Sequence, residues 1–150
     1  MPSLVLLLIK NRYLIRLDTL THIVLGGCIG ESVAGKQLGK KAIWLGAVAQ
    51  SLPDIDYLAY FFLGQSDNLL AHRGITHSFL FVMVSSAFLA IIAIAWFWKG
   101  KAEAKVWIWL ACSNLLVHVL LDSLNAYGVG WWEPFNAHRY SFHVLYVADP

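Results

Sequence analysis

The sequence predicts an all-α protein that crosses a membrane several times as a bundle of about four hydrophobic helices. Of its 150 residues, 59% are hydrophobic and 13% are charged, and a typical soluble domain carries about twice that share of charge. The uncharged run of residues 78–98 reaches the roughly 30 Å of a hydrocarbon core at about 1.5 Å per residue. A chain of this length forms one compact unit, so we expect a single domain.

The run of residues 78–98 has no polar face, which favours a transmembrane helix over the buried helix of a soluble core. Three further apolar segments are short or contain polar groups: residues 21–35, residues 42–63 and residues 106–121. Helices that pack against one another tolerate such groups because the polar side chains face protein instead of lipid. The chain closes with a short irregular segment whose aromatic residues, such as Trp131 and Tyr140, are typical of a membrane interface.

Two short connections between the apolar segments are rich in lysine. Residues 36–41 (KQLGKK) and residues 99–105 (KGKAEAK) each carry three lysines, and the positive-inside rule places such connections in the cytoplasm. From these connections the chain runs to the opposite face of the membrane near His22, Asp54 and Asp122. We therefore expect the polar clusters to meet on the non-cytoplasmic face.

The first sixteen residues do not fit this topology. Their three basic residues fall on the non-cytoplasmic side, and the apolar stretch of residues 3–9 is too short to cross a membrane. A signal peptide would place its charges before the apolar stretch instead of after it. We therefore predict that residues 1–16 are an N-terminal extension or a mis-assigned start, and that residues 17–150 form one membrane-embedded domain.

The strongest chemical signal is the sequence NLLVHVLLDSLN (residues 114–125), in which polar residues recur at helical spacing. One stripe of a helix would carry all four of them: Asn114, His118, Asp122 and Asn125. His118 and Asp122, one turn apart, can share a metal ion because imidazole and carboxylate are common ligands of Zn²⁺. The alternative is a stripe of hydrogen bonds that holds the bundle together. Because ionisable groups inside a membrane are costly, we favour the functional interpretation.

Two further clusters carry carboxylate and imidazole groups. The sequence PDID supplies Asp54 and Asp56, whose side chains point the same way if the chain is extended. Taken alone, these two would suggest a solvated acidic turn. The sequence HRGITHS supplies His72, Arg73 and His77 directly before the long apolar run. An arginine at this position can pair with a carboxylate or hold a phosphate.

Seven nitrogen or oxygen ligands are therefore expected on one face of the membrane: His22, Asp54, Asp56, His72, His77, His118 and Asp122. Cys28 and Cys112 are isolated in apolar surroundings, where cysteine behaves as a small hydrophobic residue. Ligands of this kind suit a divalent metal, Zn²⁺ first, with Mn²⁺ or Fe²⁺ as alternatives. Such an ion lowers the pKa of a bound water toward about 7 and so generates a nucleophile.

The expected roles follow from the residue types. Asp56 would be the general base or a bridging carboxylate, and the other six residues would hold the metal. Arg73 would bind an anionic group of the substrate, and Asn114 and Asn125 would orient the ligands by hydrogen bonds. The basic residues are scattered between apolar runs and the net charge is only +2, which excludes nucleic acid as a partner. The expected partners are the lipid bilayer and a small-molecule or lipid substrate.

Five motifs run in one order along almost the whole chain, from Asp18 to Pro150: DTLTHIVLGG, GKQLGKKAIWLGAVAQSLPDID, HRGITHS, HVLLDSLNAYG and WWEPF, followed by a terminal DP. In these motifs the sequence resembles the YdjM-like family, described as LexA-regulated, membrane-bound, metal-dependent hydrolases. The resemblance implies a multi-pass protein of the bacterial inner membrane. Similar members begin near DTLTH, which implies that residues 1–16 are an extension. Many continue beyond DP, which implies a truncated or unusually short member.

A more distant resemblance concerns the sequence HVLLD (residues 118–122). Its His-x-x-x-Asp spacing is similar to a pair in the zinc site of zinc-dependent phospholipase C. This resemblance implies zinc and a phosphoester substrate. We therefore expect a metal-dependent hydrolase that acts on an ester, with a phosphoester of a lipid or envelope component as the favoured substrate.

Two other functions use the same residues. A small transporter or an ion- or proton-handling protein would use the His/Asp stripe as a path across the membrane. Glu31, about 13 Å along a helix from His22, favours this alternative. A conduit needs polar groups at all depths, however, and the other polar groups converge on one face. A structural scaffold would use the stripe only for hydrogen bonds and would bind no metal.

Overall fold

The computed structural model describes residues 4–55, 73–97, 103–126 and 128–144. Its four α-helices are α1 (Leu4–Leu38), α2 (Lys41–Ser51), α3 (Phe79–Ile92) and α4 (Ala104–Ser123). A 3-10 turn (Ile75–His77) precedes α3, and a π-helical turn (Ala93–Phe97) continues it. An isolated antiparallel bridge pairs Val129 with Tyr140. The predicted all-α fold is confirmed for these residues.

The first helix is far longer than the apolar segment from which it was expected. α1 has 35 residues and is about 52 Å long at 1.5 Å per residue. It runs without a break through residues 4–16 and the apolar segment of residues 21–35, and it exceeds the thickness of a hydrocarbon core by roughly 20 Å. The assignment of residues 1–16 as an extension stays a prediction.

α1 and α2 form a tight helical hairpin. Gly39, directly after α1, has φ +58°, the left-handed conformation that glycine adopts most readily at a helix end. Its carbonyl accepts a hydrogen bond of 2.9 Å from the N–H of Ala42 at the start of α2. Farther along, a Cβ placed on Gly30 would lie 3.0 Å from the Cα of Gly46, closer than ordinary van der Waals contact. The two helices therefore touch through their backbones, as small residues permit.

α3 begins close to the predicted start of the long apolar run. The Oγ of Ser78 accepts a hydrogen bond of 3.1 Å from the N–H of Phe81, so Ser78 is the N-cap residue. α3 and the π-helical turn that follows it together cover most of residues 78–98.

Among the described residues, one helix is long and apolar enough to cross a membrane by itself. This is α4, whose 20 residues extend about 30 Å. The apolar helical stretch Phe79–Ala95 is shorter. The expected crossing by residues 78–98, and with it the multi-pass arrangement, stays a prediction.

Large apolar side chains are exposed on all four helices, whereas many polar side chains are buried. The exposed set comprises Leu20, Ile23, Val24 and Val33 of α1, Ile43, Trp44 and Val48 of α2, Leu80, Met83, Val84, Phe88 and Ile91 of α3, and Ile108, Trp109 and Leu120 of α4. The buried polar side chains include His22, Gln50, His77, Asn114, His118, Asp122 and Asn125. This distribution is the reverse of the one that a soluble domain shows.

One apolar core cluster includes residues beside the lysine-rich connections: Ala34, Leu38, Ala42, Ala90, Val106, Trp107 and Leu110. The N–H of Glu103 donates a hydrogen bond of 3.3 Å to Oε1 of Gln37. The connection of residues 36–41 and the start of α4 therefore lie at the same end of the bundle. This proximity agrees with their predicted placement on one side of the membrane.

Residues 128–144 form an irregular segment that connects the start of α3 to the end of α4. The N–H of Gly130 donates to the carbonyl of Arg73 at 3.0 Å, and the N–H of Phe142 donates to the carbonyl of Ser123 at 2.9 Å. The segment has the irregular, aromatic-rich character that the sequence predicts. It thus connects the segment before α3 and the end of α4, both of which carry site residues.

Candidate metal centre

Four ligating side chains converge from three parts of the fold. Asp54 follows α2, and His77 lies on the 3-10 turn before α3. α4 contributes His118 and Asp122, one helical turn apart. Each residue offers one nitrogen or oxygen atom, and these four atoms all lie within 4.8 Å of one another. Asp54 is 25% exposed and the other three side chains are almost completely buried, so the cluster is a largely buried polar site.

The distances within the cluster are short. The Nε2 atoms of His77 and His118 are 3.2 Å apart, and Oδ2 of Asp122 lies 3.3 Å from Nε2 of His77. Oδ1 of Asp54 lies 3.4 Å from Nε2 of His118 and 4.0 Å from Nε2 of His77. A tetrahedral Zn²⁺ with bonds of 2.0–2.2 Å separates its ligand atoms by about 3.3–3.6 Å. The observed separations bracket these values, so the donor set could hold an ion of that size.

Asp54 reaches the cluster from a helical turn. α2 ends at Ser51, two residues before Pro53, and residues 53–55 form a 3-10 turn. The extended chain considered for PDID is therefore not the conformation of residues 53–55. A proline fits the first turn of a helix, where its missing N–H costs nothing, so the chain keeps helical dihedral angles. Asp56, expected to be the general base or a bridging carboxylate, lies outside the described residues.

His22 brings α1 to the edge of the cluster. Its Nε2 lies 3.2 Å from Oδ1 of Asp122, and its ring stacks on the ring of His118 with centroids 4.1 Å apart. His22 therefore contacts one oxygen of Asp122, and His77 contacts the other. His72, the remaining residue of the predicted ligand set, lies outside the described residues.

Arg73 binds Asp122 directly. Its Nε lies 3.2 Å from Oδ2 of that carboxylate, and its side chain is 12% exposed. Asn125 accepts hydrogen bonds of 3.0 and 3.1 Å from the two terminal nitrogens of Arg73 when its amide is oriented to satisfy both groups. Arg73 has φ 66°, a left-handed conformation that disfavours a residue with a Cβ by roughly 1–2 kcal/mol. Asn125 was expected to orient the ligands; among the described residues its amide contacts Arg73, which in turn contacts Asp122.

Asn114 and Gln50 form a buried amide pair beside the cluster. Nδ2 of Asn114 donates a hydrogen bond of 2.7 Å to the carbonyl of Leu110. With its amide oriented to satisfy its neighbours, Gln50 donates to Oδ1 of Asn114 at 3.2 Å and accepts from the N–H of His118 at 3.3 Å. Gln50 was not predicted as a site residue. Its position as a polar side chain in the apolar segment before PDID is the signal that would have found it.

Several other titratable side chains lie on the surface. His138 and His143 are exposed, and the ring of His138 packs edge-on against Tyr140 with centroids 4.8 Å apart. Glu31, the residue that favoured a conduit, is exposed on α1. Neither the two histidines nor Glu31 belongs to the group of ligating atoms found among the described residues.

Comparison with known proteins places this sequence in a family. The family model described as YdjM inner membrane protein matches residues 17–150, a span that contains every residue of the cluster. The chain is similar to inner membrane protein YbcI of Escherichia coli (strain K12), with 34% identity over 133 residues, which cover 86% of this chain and 75% of that protein. No solved structure matches the chain. The chain belongs to the YdjM inner membrane protein family.

Proposed function

We propose that this chain is a multi-pass protein of the bacterial inner membrane that hydrolyses an ester at a divalent metal site on the non-cytoplasmic face. The observation that supports this function most is the convergence of Asp54, His77, His118 and Asp122 within 4.8 Å. Carboxylates and imidazoles are expensive to bury unless their charges and hydrogen bonds are satisfied. A divalent cation would satisfy all four groups at once. A purely structural role would not require four ligand atoms to meet in one place.

The donor set favours Zn²⁺, with Mn²⁺ and Fe²⁺ as alternatives, because it contains nitrogen and oxygen atoms of borderline to hard character. His77 and His118 would bind through Nε2, and Asp54 and Asp122 through one carboxylate oxygen each. When bound, the metal would supply a water of lowered pKa and a positive charge for the developing oxyanion.

Several residues of this chain would prepare the site around that ion. His22, on the other oxygen of Asp122, would hold this carboxylate in place or act as a further ligand. Asn114 would fix the turn of α4 that carries His118. The amide of Gln50 connects the two residues, because it donates to Oδ1 of Asn114 and accepts from the N–H of His118. His72 remains a proposed ligand, and Asp56 remains the proposed general base or bridging carboxylate.

Arg73 would bind the anionic part of the substrate. Its planar guanidinium matches the oxygens of a phosphate better than a lysine would, and it is held by Asp122 and Asn125 instead of moving freely. It is one of the partly exposed groups of the site. These properties favour a phosphoester, and the membrane location favours one carried by a lipid or envelope component.

The exposed surfaces of the helices support several crossings. α3 exposes a large apolar side chain at intervals of one to four residues: Leu80, Met83, Val84, Phe88 and Ile91. Such a surface is stable against lipid and costly in water. Together with the π-helical turn, α3 extends about 28 Å at 1.5 Å per residue, close to the thickness of a hydrocarbon core.

The described residues favour hydrolysis over transport. The buried cluster at the lysine-rich end is apolar and includes Leu38, Trp107 and Leu110. A path for protons or metal ions would need buried polar groups at this depth. Glu31, the one acidic residue predicted to lie deep, is exposed on the surface of α1.

Turnover in detergent tests this proposal, because no gradient exists there and transport produces no product. Metal-loaded protein would be given phosphomonoesters and phosphodiesters, including lipids with such head groups. We expect the wild type and the control His138→Ala to hydrolyse at least one of them. Asp122→Asn and Arg73→Gln should reduce the rate severely. Zn²⁺ flux in proteoliposomes without turnover of any ester would instead establish the transporter.

A further inference from the structure

Both ring nitrogens of His77 have a defined neighbour. The ring is fully buried, and its Nε2 points into the cluster, 3.2 Å from Nε2 of His118 and 3.3 Å from Oδ2 of Asp122. Its Nδ1 points the other way and lies 3.0 Å from Oγ1 of Thr76. The neighbouring hydroxyl thus faces the nitrogen that would not bind the metal.

A histidine binds a metal through a nitrogen that carries a lone pair, so the proton of the neutral ring must sit on the other nitrogen. For His77 to offer Nε2, its Nδ1 must carry the proton and donate it to an acceptor. A threonine hydroxyl has two lone pairs and accepts such a bond. Capping of α3 does not require Thr76, because Ser78 accepts from Phe81.

We propose that Thr76 is a positioning residue. In the metal-bound site it accepts a hydrogen bond from the Nδ1–H of His77, which holds the rotation of the ring so that the lone pair of Nε2 faces the metal. The inference rests on the proposed metal site for the tautomer, and on the observed 3.0 Å contact for the orientation of the ring. Groups that orient metal-binding histidines in this way typically contribute a factor of 10–100 in metal affinity.

His118 provides a contrast within the same site. Within the described part of the chain, its Nδ1 is buried and has no hydrogen-bond partner. The two histidines therefore differ in what holds their rings. Thr76 gives the ring of His77 a contact at Nδ1 that does not depend on the metal.

Two isosteric changes separate the hydrogen bond from the packing of Thr76. Thr76→Val keeps the shape and removes the hydroxyl, whereas Thr76→Ser keeps the hydroxyl and removes a methyl group. Ser32→Ala, which removes an exposed hydroxyl that bonds to its own helix, is the matched control. Circular dichroism would check the fold of each variant, and Thr76→Ala replaces the valine variant if that one fails to fold.

The first readout is the Nδ1 signal of His77 in Zn²⁺-loaded protein at pH 8, from the nitrogen shifts of protein labelled with ¹⁵N-histidine. The His77 signals are identified by their absence in His77→Gln. We expect a hydrogen-bonded Nδ1–H in the wild type, Thr76→Ser and Ser32→Ala, and a shifted Nδ1 signal without that hydrogen bond in Thr76→Val. An unchanged Nδ1 signal in Thr76→Val would overturn the proposal.

The second readout is the affinity for Zn²⁺, measured by competition with a chromogenic chelator. Thr76→Val should bind about 10–100 times more weakly than the wild type, and Thr76→Ser should bind as the wild type does. An equal loss in both variants would assign the effect to packing and overturn the proposal. If the wild type binds no Zn²⁺, the proposed function fails, and the role of Thr76 fails with it. If the wild type binds Zn²⁺ and Thr76→Val binds it equally tightly, only the role of Thr76 fails.

Discussion

Replacing Gly46 with alanine should force α1 and α2 apart. A Cβ at this position would collide with the carbonyl oxygen of Gly26 and would lie 2.8 Å from the Cα of Gly30. These atoms belong to the backbone, so no side-chain rotation relieves the overlap. Carbon atoms pack best at about 3.5–4.0 Å, so the helices must separate by roughly 0.7 Å or more.

The cost of this separation can be estimated. Overpacking in a close-packed interior typically costs 1–3 kcal/mol, and we expect about 2–3 kcal/mol here because both partners are backbone. For a chain of this size, that loss lowers Tm by about 4–12 °C. Since His22 lies on α1 and Asp54 follows α2, the same movement should also weaken metal binding.

The matched control is Gly27→Ala on α1, at the same contact between the two helices. Its Cβ would meet Cγ2 of Ile43 at 3.0 Å, and this side-chain atom can rotate away. Thermal unfolding in detergent, followed by circular dichroism, should therefore show a large loss for Gly46→Ala and a small one for Gly27→Ala. Equal losses, or an unchanged Tm for Gly46→Ala, would refute the backbone contact between the helices.

Three further predictions concern the polar interior and the metal. Gln50→Met, which keeps the shape and removes the amide, should cost about 1–3 kcal/mol because Asn114 loses a buried partner; an unchanged unfolding temperature would contradict the buried amide pair. Ser78→Ala should cost about 1 kcal/mol by removing the acceptor of the Phe81 N–H, and Ser78→Asn, another good N-cap residue, should recover most of it. Removing metal with a chelator should lower stability by about 2.7 kcal/mol if free metal had been 100-fold above Kd, and a Tm that responds neither to chelator nor to added Zn²⁺ would argue against a bound ion.

Much of the candidate site could be predicted from the sequence because helical spacing and topology act together. The four-residue spacing of His118 and Asp122 places them on one face of α4 whatever the helix packs against. The lysine-rich connections then fix which helix ends share a face, and this brings Asp54 and His77 to the same end. The structure places these four side chains together.

Other features depend on packing that spacing does not encode. Gln50 lies at the contact between α1 and α2, where a Cβ on Gly26 would meet its side chain, and its amide contacts Asn114 of α4. Thr76 meets the ring of His77 within the 3-10 turn that directly precedes Ser78, the N-cap residue of α3. Asp54 lies on a 3-10 turn because the chain continues in helical geometry through Pro53, which the sequence PDID does not reveal.

The metal content of the purified protein tests the central claim most directly. Protein purified in mild detergent without chelator would be measured by inductively coupled plasma mass spectrometry. The wild type would be compared with His118→Ala, Asp122→Ala and the surface control His138→Ala. We predict stoichiometric metal in the wild type and the control, and its loss from the two site variants at unchanged helical content. A folded wild type that holds no metal even after reconstitution with Zn²⁺ or Mn²⁺ would contradict the metal centre and leave the stripe as a set of hydrogen bonds between helices.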